Sequence, residues 1–131
     1  MRLTERELTA ALTGAAKSVL AARDKRVRKG RMTEDELWES VSRYQRFLVL
    51  DGLGDQILPV LVALPDVEVA VGQRPVFTDA QITAAVEERL GEESRLRRKA
   101  LLLTRVALVK RALGSLPPRQ DPDALIVPDH L

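Results

Sequence analysis

Lys99-Ala-Leu-Leu-Leu-Thr-Arg-Val-Ala-Leu-Val-Lys-Arg-Ala-Leu113 decides the fold class of this chain. No Gly or Pro interrupts it, and its Leu, Ala, Lys and Arg are strong helix formers. On a helix of 3.6 residues per turn its apolar positions make more than one stripe. Leu96, Ala100, Leu103 and Ala107 share one face, Leu101, Leu108 and Ala112 a second, and Leu102, Val106, Val109 and Leu113 a third. A helix apolar on most sides is buried on most sides. This segment is therefore expected to be the central helix of an all-α domain, or half of a subunit interface.

Upstream, one local pattern occurs three times: Leu3-Thr4-Glu5-Arg6-Glu7-Leu8, Met32-Thr33-Glu34-Asp35-Glu36-Leu37 and Phe77-Thr78-Asp79-Ala80-Gln81-Ile82. Each is a capping box with a hydrophobic staple: the Thr hydroxyl accepts from a backbone N–H three residues on, and the Glu or Gln reaches back. Three helix starts follow. The first helix is expected from Glu5 to about Lys29, with Gly30 as its stop and Leu8, Ala11, Leu12, Ala15, Val19 and Ala22 as an Ala-rich stripe that lets a neighbour come close. Gly14 is expected on the opposite side. The second is expected from Glu34 to about Leu50, with Leu37, Val41, Tyr44 and Leu48 inward and Trp38 and Tyr44 as core anchors. Asp51-Gly-Leu-Gly-Asp55 is expected to be a tight turn, followed by a short buried helix over 56–64 with Pro59 near its start and by an extended connector or short strand over 66–76. Another helix follows Thr78, with Gly91 as its stop.

The expected architecture is a compact all-α bundle of about five helices over residues 1–116, with Leu12, Val19, Leu37, Val41, Leu48, Leu61, Ile82, Val86, Leu103 and Ala107 in one core. Residues 117–131 are expected to form a Pro-rich tail, either disordered or an extended polyproline-type arm, since Leu116-Pro-Pro-Arg-Gln-Asp-Pro-Asp cannot continue a helix. Within that tail Leu125, Ile126 and Val127 are apolar enough to lie on something.

Composition narrows the function classes. At 131 residues the chain suits one core. It has no Cys, which removes disulfides, thiolate metal sites and cysteine nucleophiles and fits a reducing cytoplasm. The start is polar, without the apolar run of a signal peptide, and no apolar run approaches the ~20 residues of a membrane span. Arg outnumbers Lys 16 to 5, the codon bias of a GC-rich bacterial genome. His130, the single His, is second from the end and is not expected to be held in reacting geometry. No phosphate-binding glycine loop, nucleophile with an oriented base, or zinc-binding His pair is present. The expectation is a non-enzymatic protein with no cofactor and no metal.

Two binding functions remain. The first is a protein–protein interaction or assembly module, expected to be a homodimer built on Leu102, Val106, Val109 and Leu113 together with Leu125, Ile126 and Val127. The second is a nucleic-acid regulator, in which Thr78–Leu90, Gly91 and Ser94–Leu113 have the order of a helix-turn-helix. Its bases are Arg23, Arg26, Arg28, Lys29 and Arg31 at the end of the first helix and Arg95, Arg98, Lys99, Arg105 and Lys110 on the last. The net charge of +2 is a mild excess, Glu92 and Glu93 sit where phosphates would lie, and the last helix is too apolar to rest in a groove of DNA. These features favour the first reading.

Overall fold

The computed structural model describes residues 1–92 and 94–120, and among them every regular element is helical. The elements are α1 (Glu5–Arg23), α2 (Lys25–Arg28), α3 (Glu34–Ser40), α4 (Arg43–Ala63), α5 (Asp79–Arg89) and α6 (Arg95–Gly114). All three Thr capping boxes form in both directions: Glu7, Glu36 and Gln81 each donate a backbone N–H to the Thr hydroxyl and accept from the Thr N–H. Ser94 caps α6 alone, accepting from the Arg97 N–H.

Four long helices make the body. The Met1 amino group donates to the carbonyls of Val62 and Leu64, so α1 starts where α4 ends. Arg111 donates through Nε to the Gly14 carbonyl at 3.3 Å, while Val19 and Ala22 lie beside Ala107 and Leu108. α1 and α6 are therefore antiparallel. Lys110 pairs with Asp79 at 2.9 Å, and Arg98 donates to the Glu87 carbonyl at 3.4 Å, which makes α5 antiparallel to α6 as well. The result is an up-down-up-down bundle of α1, α4, α5 and α6, with α2 and α3 inside the first connection.

The core lies along α1. Ala11, Ala15 and Ala16 meet Ile57, Val60, Leu61 and Leu64 of α4, Ile82, Ala85 and Val86 of α5, and Val109, Ala112, Leu113 and Leu116. Small residues on α1 let α6 close in, as the Ala-rich stripe predicts. The tightest point is Gly14, which is buried and does not face outward as expected. A Cβ placed there would stand 2.4 Å from the Ser115 Cβ. The chain after α6 stays on the body to residue 119: the N–H of Arg119 donates to Gln73 O and that of Gly72 to Arg119 O, each at 2.7 Å. The Arg119 guanidinium meets the buried Glu7 carboxylate at 3.4 Å.

Several boundaries differ from expectation. α1 stops at Arg23, because Asp24 turns extended and its carboxylate accepts from the N–H groups of Arg26 and Val27 to start α2. Gly30, with φ of +73°, closes that short turn instead. The second expected helix breaks at Val41–Ser42, where Ser42 and Gln45 form a fourth capping box. Asp51-Gly-Leu-Gly-Asp55 is not a turn but the middle of α4, and Pro59 sits inside that helix. Burial of Leu53, Ile57, Val60 and Leu61 on one face outweighs the ~1 kcal/mol cost of each Gly and the larger cost of Pro. The connector 65–78 contains no strand, and Gly72 turns it with φ of +83°.

The expected core needs correction at three places. Leu48 is 49% exposed, because the break at Ser42 rotates α4 out of the register of Leu37 and Val41. Leu103 is 64% exposed and Ala107 is exposed too, because both lie on the side of α6 opposite Val109 and Ala112, which turn into the core. Tyr44 is not an anchor but 70% exposed, whereas Trp38 is buried with the Arg46 guanidinium 5.3 Å above its ring.

Candidate interaction surface

The three apolar faces of α6 have different fates. Val109, Ala112 and Leu113 are buried, and Leu101, Leu102, Val106 and Leu108 are half-buried. The strip Leu102-Val106-Val109-Leu113 thus turns into the chain's own core, which corrects its expected role as a dimer surface. The face left open is Leu96, Ala100, Leu103 and Ala107. Leu96 is 85% exposed and Leu103 64%, with both alanines exposed between them.

This face is backed by fixed structure. Arg98, on the inward side of α6, donates to the carbonyls of Gly91 at 3.1 Å and Glu87 at 3.4 Å, so it ties the start of α6 to the end of α5. Leu90, Leu102 and Val106 pack on the core beneath. The Thr104 hydroxyl donates to the Ala100 carbonyl at 2.9 Å and so does not compete for a partner's groups.

The open face runs into a groove. It lies between the last two turns of α1 and the facing parts of α4 and α6. Val19, Ala22, Leu53, Ala107 and Leu108 give the groove its apolar lining, and Arg23 stands in its wall. Ala107 and Thr104 belong to both surfaces, so the apolar track is continuous from Leu96 to Leu53.

The expected basic residues do not form one surface. Arg23 brings the first cluster to the groove of α6. Arg26 is held by Asp24 at 3.0 Å, Lys110 by Asp79 at 2.9 Å, and Arg98 by the two carbonyls. Arg105 is half-buried on the inner side of α6. Arg28, Lys29, Arg31, Arg95 and Lys99 are exposed. The Arg26 guanidinium and backbone N–H groups also hold the Asp24 carboxyl below the ordinary carboxylate range. The helix-turn-helix order of α5 and α6 does not give that motif's wide crossing angle. Pairs 79–110 and 87–98 keep the two helices side by side, as in an αα-hairpin.

A second cleft lies where Arg6, Thr13, Lys17 and Arg111 surround Gly14. Two of its three cations are already engaged, Lys17 by Asp35 at 2.8 Å and Arg111 by Glu34 at 2.7 Å. Tyr44, Phe47 and Leu48 form a separate exposed apolar group at the start of α4. Among the described residues no three His, Asp or Glu side chains gather as a metal site, and no helix is long and apolar enough to cross a membrane. Leu125, Ile126, Val127 and His130 lie outside the described residues. No family model matches this chain, and no curated protein or solved structure is detectably similar to it.

Proposed function

We propose that this chain is a non-enzymatic protein–protein interaction module whose binding surface is the open face of α6 together with the groove at the end of α1. One observation carries the reading: Leu96, Ala100, Leu103 and Ala107 are exposed in register over three turns and lead into an apolar groove. Single exposed leucines are ordinary. A continuous apolar track rimmed by charge on a well-anchored helix is the composition of a docking surface. The cytoplasm is the compartment that a chain without Cys fits best. Two-fold self-association loses its expected support, because the strip assigned to it is core. The nucleic-acid reading is weaker as well, since Arg26, Arg98 and Lys110 have partners within the chain.

The test is a photo-crosslinking amino acid placed at Leu103, with Val62, which is 65% exposed on α4, as the control position. In the producing cell the Leu103 probe is expected to yield a discrete protein adduct that the Val62 probe does not, and Leu96→Glu is expected to abolish it. Equal adducts from both positions, or adducts with nucleic acid alone, would overturn the reading.

A further inference from the structure

Resting on that reading, we infer that the element seated on this surface is an acidic amphipathic helix of about three turns. Leu96 to Ala107 is twelve residues, eleven steps and a rise of ~16 Å along α6. The order Leu-Ala-Leu-Ala alternates ridge and hollow. Ala100 and Ala107 leave room on either side of Leu103 for the side chains of a closely approaching helix. No strand edge exists among the described residues to pair with an extended peptide through its backbone, so recognition here works through side chains.

Charge selects the partner. No Asp or Glu occurs between residues 95 and 111. Lys99 and Lys110 flank the open face on one side, Thr104 and Arg111 on the other, and Arg23 stands at the groove. Lys110 and Arg111 are matched by Asp79 and Glu34. Arg23, Arg95 and Lys99 have no acidic partner among the described residues. A second copy docked face to face would set these bases against their own equivalents, with no acid on the helix to relieve the repulsion. A head-to-tail copy would build a ring or an open filament rather than a dimer. Duplex DNA would meet leucines where phosphates need cations. A helix with Leu or Ala along one face and Glu or Asp on both flanks satisfies the apolar track and the unmatched bases together.

The experiment uses the full chain and two labelled peptides of about four turns. Both carry Leu and Ala at i, i+3, i+4 and i+7; one has Glu on the flanks, the other Lys. Fluorescence anisotropy is expected to show saturable binding of the Glu peptide that weakens with added salt. Arg23→Glu with Lys99→Glu is expected to weaken it at least about tenfold and to create binding of the Lys peptide. Circular dichroism checks that the variant keeps its fold. Leu103→Asp, a surface change, is expected to abolish binding of either peptide. Equal affinity for both peptides, indifference to the double charge reversal, or preference for a random DNA duplex would overturn the inference. So would a dimer of the free chain that Leu103→Asp dissociates. A protein adduct at Leu103 with no binding of the Glu peptide sinks the acidic helix alone, while failure of both experiments sinks the interaction surface itself.

Discussion

Gly14 shows how much a single position governs here. Its missing Cβ is what lets α1 and α6 cross closely enough for Arg111 to reach the Gly14 carbonyl and Glu34. Helix propensity alone favours Ala by ~1 kcal/mol. The steric demand opposes it, because the Ser115 Cβ cannot swing away as a flexible chain end would. Overpacking of this kind costs ~1–3 kcal/mol, so Gly14→Ala is expected to destabilise by about 1–2 kcal/mol in denaturant titration. Ser115→Gly in the same chain is expected to recover most of that loss, a coupling that a double-mutant cycle measures. Independent effects of the two changes would place the close approach elsewhere. A second residue-scale expectation concerns Asp35. The Lys17 ammonium, through its hydrogen bond first and its charge second, holds this carboxyl below the ordinary Asp range. A depressed folded pKa gives a contribution that is present above the unfolded value and lost as pH falls through the folded one. The pair is exposed, so its effect on stability is small. The carboxyl titration followed by NMR is the sharper measure: its midpoint is expected to rise toward the ordinary value in Lys17→Met, and an unmoved midpoint would remove the assignment.

At the scale of elements, local chemistry was legible and long-range cover was not. The Thr4, Thr33 and Thr78 boxes lie within four residues each, and all three form. Ser42 carries the same chemistry but was masked by the spacing of Leu37, Val41, Tyr44 and Leu48, which reads as one uninterrupted helix. Replacing Thr33, Ser42 or Thr78 with Ala is expected to cost ~0.5–2 kcal/mol each by thermal unfolding. The Gly and Pro residues inside α4 mislead in the opposite direction, because propensity is weak beside burial of a whole face. The candidate surface was half legible. Periodicity shows that α6 has three apolar faces, but which face is open depends on which side of α6 the other helices pack against. Val109 and Ala112 turn into the core, which leaves Leu103 on the far side of the helix. Leu116→Ala, at a side chain with no exposure, is therefore expected to cost ~2–5 kcal/mol. Leu103→Ala is expected to stay within ~0.5 kcal/mol, the range of surface changes. Equal costs for the two would mean that the open face is covered in solution.

Across the whole molecule, burial is uneven along the bundle axis. The fully buried side chains of α6 and its exit are Val109, Ala112 and Leu116, all at the end where α1 meets it. From Arg95 to Leu108 no residue of α6 is fully buried. α4 has the same gradient, with its first buried residue at Leu53. Regions with few buried apolar contacts open at lower free energy than the core that supports them. Amides of residues 99–104 are therefore expected to exchange hydrogen through a local opening, well before those of 109–113, which wait for global unfolding. Hydrogen exchange read by mass spectrometry separates the two. The Glu-flanked peptide ties this gradient to function: bound along Leu96–Ala107, it is expected to slow exchange in 99–104 and leave 109–113 unchanged, because a ligand adds its binding free energy only to openings that release it. Uniform exchange along α6 in the free chain would show that the bundle opens as one unit, and the open half of α6 would then be as rigid as the core.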